Sequence, residues 1–256
     1  MNRFDEINDS FDKAMLPLKG ALRAIEVFSE SISELLRPIN ENAVKLGEML
    51  LEAFKPFAAA RKLGEAQYVY WDYIESDFAD SLIKSKNTNE ILCRRNETDE
   101  YRTVGYTISS CSGHTLIAPY SLFAQSILAY SEGKYDLAVL GLLSVIDGLL
   151  TDVSENDTTS IFKRTESIIK RAENNEILDA NEVALIMLSI TFQKTVEIIS
   201  AKSDFSKGEP NNLNRHWIMH GRSRHKKTKL DCVKLINFIY GILLINDYAD
   251  LEVSDI

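Results

Sequence analysis

Three of the four histidines, His216, His220 and His225, fall within ten residues of one another, and imidazole is the side chain that ordinarily exchanges protons near neutral pH. They stand in Asn214-Arg215-His216-Trp217-Ile218-Met219-His220-Gly221, with Arg222, Arg224, Lys226, Lys227 and Lys229 directly after. Residues 210–230 hold six Lys/Arg and no Asp or Glu, in a chain whose net charge is −9. A cationic island on an acidic body suits a polyanion such as a phosphate backbone, although a solvated basic loop has the same composition. His220 can act as acid or base, with His216 as its helper or as the group that holds Arg215 in place. Arg215, always charged and fork-shaped, fits non-bridging phosphate oxygens. Arg222, Arg224, His225, Lys226, Lys227 and Lys229 are the candidates for holding the backbone.

Other chemistries fit less well. His216 and His220 are spaced i, i+4 like a zinc-binding pair, but no glutamate follows His216 and no third ligand stands at a familiar spacing beyond His225. Neither a metal nor a cofactor is expected. Cys93, Cys111 and Cys232 are odd in number and lack CxxC spacing, so they read as reduced structural thiols. Cys232 lies between apolar positions and looks like a core residue, while His114 falls in an expected exposed loop. No glycine-rich phosphate loop or catalytic pair of carboxylates is evident. A core histidine with Arg215 as its structural partner is the plain alternative to catalysis.

The elements that must position these groups read as helices. From Pro119 onward the pattern gives a helix over 120–130, a second over 135–153, a third over 161–174, a long one over 181–201, a Gly/Pro/Asn-rich loop over 204–212, and a last apolar helix over 230–248. The 135–153 helix is apolar on nearly every side, which places it at the centre of a bundle. Gly141, Ser144 and Gly148 form a small-residue stripe along it for a close neighbour. Asp147 is its only charge between Leu137 and Leu150, and a carboxylate there needs a partner. Arg215 or another residue of the basic island is the expected one, unless Asp147 faces water.

Upstream, apolar spacing predicts a helix over 16–39 with a break at Pro38, and a second carrying Leu46, Met49, Leu50 and Phe54 that stops near Pro56. Together they form a helical hairpin with one apolar face. Residues 61–119 are less regular: Gln67 to Trp71 reads as a short strand or buried turn, and Val104, Tyr106 and Ile108 alternate like a strand. Residues 78–83 and 89–93 read as short helices, and Arg94 to Arg102 as an exposed loop. The expected organisation is all-α, with residues 1–118 as an N-terminal region and 119–256 as a four- to five-helix bundle. The 239–245 run falls far short of the roughly twenty apolar residues of a membrane span, and Asp5, Glu6 and Asp9 argue against a signal peptide. A cytoplasmic protein without membrane contact is the expectation.

Arg215-His216-Trp217-Ile218-Met219-His220, set before the final helix of a bundle and followed by Gly221 and a basic flank, resembles the R-x-x-x-x-H signature of the HEPN superfamily. The resemblance covers residues 119–248. It implies a metal-independent endoribonuclease of a bacterial toxin or anti-phage type, its site composed across a homodimer, with an antitoxin or other regulatory protein as a possible further partner. It equally admits a non-catalytic module that binds RNA, nucleotide or protein. In a straight helix Arg215 and His220 would point about 140° apart. Convergence therefore needs a turn or a second chain.

Overall fold

The computed structural model describes residues 40–69, 76–154, 160–173 and 182–250. All of their regular structure is helical: α1 (Asn40–Glu65), α2 (Ser76–Lys84), α3 (Thr88–Thr98), α4 (Arg102–Gly113), α5 (Ser121–Ser131), α6 (Tyr135–Ser154), α7 (Ile161–Glu173), α8 (Glu182–Ile199), α9 (Arg215–Met219) and α10 (Lys229–Asp250). The chain divides into two compact units, Met1–Lys55 and Pro56–Ile256. The described part of the first is the start of α1; the expected 16–39 helix lies outside the described residues. The second unit takes in residues 56–118 together with the expected bundle.

Three upstream expectations change. Helix α1 runs through Pro56 rather than stopping there. A proline removes one intrahelical hydrogen bond, but Ala59, Ala60 and Leu63 are buried in a small cluster with Ala79, Leu82, Leu92 and Met187, which favours continuing the helix past the lost bond. Residues 104–108 are not a strand but the interior of α4, where Val104, Thr107 and Cys111 make a buried helical stripe. Helix packing against α10 overrides the short alternation. The charged 94–102 stretch is mostly the end of α3 and the turn into α4. Gln67 and Val69 are buried in a turn, which is one of the two readings offered for that segment; Tyr70 and Trp71 lie outside the described residues.

Helix α6 packs most extensively on α5 and α10, with α7 and α9 also against it. Leu142, Leu143, Ile146, Leu149 and Leu150 meet Phe123, Ile168, Phe192, Leu235, Phe238 and Ile242 in one core. Phe192 and Phe238 pack edge to face at 4.9 Å. The small-residue stripe does what its spacing suggests: Ser126 of α5 lies directly over Gly141, and a Cβ at Gly148 would sit 2.8 Å from a Tyr120 ring carbon. Helix α6 is not buried all round, however. Leu137 and Leu140 remain 61% and 40% exposed and share a strip with Ser144 and Asp147. Helices α6 and α10 are long and apolar enough to cross a membrane, yet most of each apolar window is buried inside the bundle.

Candidate functional site

The motif is held by polar clamps at both ends. Asn214 caps α9, its Oδ1 accepting from the Trp217 N–H at 3.2 Å and from Ser203 Oγ at 2.9 Å, while its Nδ2 donates to the Ala201 carbonyl at 2.9 Å. Its neighbour Leu213 is gripped by Gln67, whose amide donates to the Leu213 carbonyl at 2.6 Å and accepts from the Leu213 N–H at 2.8 Å. At the other end Gly221 adopts φ +64°. Gly221 N–H donates to Ile218 O at 3.0 Å and Arg222 N–H to Trp217 O at 2.8 Å. These bonds form a Schellman motif, which favours glycine because a Cβ is disfavoured at this φ.

Arg215 lies against α6, where its Nη2 donates to Asp147 Oδ2 at 2.9 Å. The carboxylate thus has the partner expected for it, while staying 31% exposed. Arg164 of α7 reaches the same residue, at 3.4 Å from the Asp147 carbonyl and 3.5 Å from Oδ1. Two guanidinium groups therefore bracket one carboxylate. The Arg215 Nε is buried without a hydrogen-bond partner.

The two histidines lie on another side of α9. Their rings are nearly parallel, 11° apart with centroids at 6.4 Å. His220, the C-cap of α9, is exposed; His216 is half-buried. Burial, then the charges of Arg215 and His220, push the His216 pKa below its ordinary 6.5, against a hydrogen bond with the Ser200 backbone. His216 is consequently a neutral base at pH 7, beside an accessible imidazole that can serve as the acid. Phe205, from the loop before the motif, meets Trp217 at 5.0 Å and His220 at 6.1 Å, both edge to face. The Arg222 guanidinium lies 4.5 Å over the Phe205 ring.

The basic island divides. Arg222, Arg224, His225 and Lys226 are exposed and keep the access that a phosphate-binding role needs. Lys227 does not: it is buried, with Nζ 2.6 Å from Ser223 Oγ and 3.7 Å from Glu209, and its N–H donates to Asp136 at 3.1 Å. Lys229 is half-buried, its ammonium 3.2 Å from the Tyr101 ring centroid. The counter-charge comes from Glu209, one residue before the acid-free window. Its carboxylate accepts from Ser223 Oγ, from the Arg224 N–H at 2.6 Å and from the His225 N–H at 3.2 Å.

Burial of Glu209 works against its charged form, but the Ser223, Arg224 and His225 hydrogen bonds and the His225 charge outweigh it, and the pKa falls below 4.5. A depressed carboxyl pKa contributes stability that is present above the unfolded value and is lost as pH falls through the folded one. Amide exchange at Arg224 and His225 should therefore stay slow above pH 5 and quicken below pH 4.5, relative to the intrinsic rate. A Glu209→Gln protein should exchange fast across that whole range. Equal protection in the two proteins would show that the carboxylate does not hold the loop.

The remaining candidates are structural. Cys232 is buried and its thiol is pushed up to about 12 by burial, then by Asp231 and Asp136, which leaves no thiolate to act as a nucleophile. All three cysteines are free. His114 is not a free loop residue: it caps α4, with Nε2 3.1 Å from Asp247 and Nδ1 accepting from the Leu116 N–H at 3.2 Å. Among the described residues no group of three His, Cys, Asp or Glu could hold a metal ion. Compared with known proteins, the chain matches no family model, no curated protein and no solved structure.

Sequence reasoning missed Arg164, Gln67, Phe205 and Glu209. Arg164 had a signal, since it shares a helical face with Ile161 and Ile168. Glu209 had a weaker one as the lone acid between Gly208 and Pro210. Gln67 and Phe205 gain their roles only from contacts with the distant 213–222 segment.

Proposed function

We propose that this chain is a metal-independent endoribonuclease that cuts RNA by attack of the 2′-hydroxyl, with a site completed by a second copy of the chain. The observation that carries this reading is the parallel His216–His220 pair, one ring held neutral and the other exposed, beside the exposed cations of the 222–226 loop. In this mechanism His216 takes the 2′-OH proton and His220 protonates the departing 5′-oxygen. The growing charge on the phosphorane needs a fixed cation. Arg215 lies against Asp147, away from its own two histidines, so in this reading the cation is Arg215 of the second copy, held in place by the same ion pair on its own α6. The exposed Leu137–Leu140 strip of α6 adjoins Met219, which contacts Ser144, and it offers that copy an apolar seat next to the arginine. A toxin or anti-phage setting, held in check by a regulatory protein, suits such an enzyme.

The test is cleavage of total RNA and tRNA in excess EDTA by wild type, Arg215→Ala and His220→Ala, with product ends examined for 2′,3′-cyclic phosphate. Cleavage by wild type alone, leaving cyclic phosphate, is the expected result. The acid limb of its pH profile should lie below 6.5, because His216 stays neutral until lower pH than an ordinary imidazole. The second reading is a non-catalytic binding module. It is favoured by the ion pair that commits Arg215 to Asp147 within its own chain, and it would be indicated by folded dimers that bind RNA and leave it intact.

A further inference from the structure

The loop between α8 and α9 carries Phe205, which keeps 36% of its surface exposed. Single exposed apolar side chains are ordinary, but this one is oriented from three directions. Trp217, itself 8% exposed, presents its ring at 73° to Phe205, and His220 does so at 86°. The Arg222 guanidinium lies 4.5 Å over the ring. Arg222 is exposed, and its backbone is fixed by the bond to the Trp217 carbonyl that ends α9. The outcome is an aromatic surface of set orientation, covered by one movable cation, in edge contact with the exposed imidazole.

We propose that Phe205 and Arg222 form a nucleobase clamp for unpaired RNA, in which a base takes the guanidinium's place on the Phe205 ring and Arg222 turns to the adjoining phosphate. This rests on the ribonuclease reading and names its substrate class. Aromatic rings and guanidinium planes are the groups on which splayed bases stack, and stacking tolerates any base because each has a π-face. Bases inside a duplex have their faces occupied, so the clamp selects single strands, loops and ends. The contact between Phe205 and His220 places the clamped nucleotide next to the one that is cut.

The test measures equilibrium binding in an Arg215→Ala background, where cleavage is expected to be too slow to consume the probe during the measurement. The probes are a fluorescent single-stranded oligoribonucleotide and an abasic phosphodiester chain of the same length and charge. The background protein should bind the base-containing probe about tenfold more tightly than the abasic one. Adding Phe205→Leu, which keeps an apolar side chain against Trp217 but no ring, should erase the difference. Phe205→Tyr should preserve it. The clamp is refuted if the background binds both probes equally, if it binds neither, or if the Leu and Tyr variants behave alike. A background protein with no base preference, from a wild type that cleaves in EDTA, removes the clamp alone, whereas a wild type that is inert in EDTA with the preference intact removes the nuclease reading alone.

Discussion

Arg215→Ala and His220→Ala subunits, each at least about 100-fold slower than wild type on its own, are expected to recover about a quarter of the wild-type rate when mixed equally and allowed to exchange. Helix α9 holds the two groups apart. Arg215 opens the helix and is drawn to Asp147, while His220 closes it beside His216 and Phe205. In the proposed site a phosphate between those histidines draws its cation from the partner chain. A symmetric dimer of one defective type lacks the same group at both sites. A mixed dimer has one site missing both groups and one missing neither. Random pairing makes about half of all dimers mixed, each with one working site of two. A rate that stays at the level of the single variants, although mass measurement confirms mixed dimers, would place the arginine and the histidines in one chain and end the composite model.

The same geometry shows which parts of the fold were readable in the sequence. Helices α5 to α8 and α10 follow the apolar spacing because each buries a single stripe or nearly its whole surface in one core. The pairing of Asp147 with Arg215 was legible for a comparable reason: one carboxylate in an apolar helix demands a cation, and the motif held a nearby surplus. Lys227 misled because charge counts carry no burial information, and its counter-ion, Glu209, stood just beyond the basic run. Residues 104–108 misled because three alternating positions cannot distinguish a strand from a helix whose buried stripe is Val104, Thr107 and Cys111. Phe205 was invisible for a third reason. Its partners Trp217, His220 and Arg222 are brought to it by the return of the loop, and no periodicity encodes a loop.

Gln67→Leu should lower the melting temperature by about 10 °C and abolish cleavage, although Gln67 touches none of the proposed reacting groups. Gln67 is 2% exposed and holds both the carbonyl and the N–H of Leu213. Leucine keeps much of the volume and removes both hydrogen bonds, leaving two backbone groups of a residue with a buried side chain unpaired. Each such loss costs about 1–3 kcal/mol. A combined cost of about 3 kcal/mol corresponds to a shift of about 10 °C for a chain of this size. Gln67 also sits at φ +59°, a strained conformation for a side-chain-bearing residue, in a turn whose Val69 Cγ1 would lie 2.6 Å from a Cβ on Gly241. The turn is thus fixed against α10, and the amide transfers that fixity to Leu213 and then to Asn214, the cap that starts α9. Its loss frees the end of the motif, so cleavage should fall by more than unfolding alone predicts when assayed well below the melting temperature. Gln67→Glu should be at least as damaging as Gln67→Leu near neutral pH, because it loses the donor and sets a buried carboxylate against the Leu213 carbonyl. Full activity in a destabilised Gln67→Leu protein would mean that the cap positions α9 without help from this clamp.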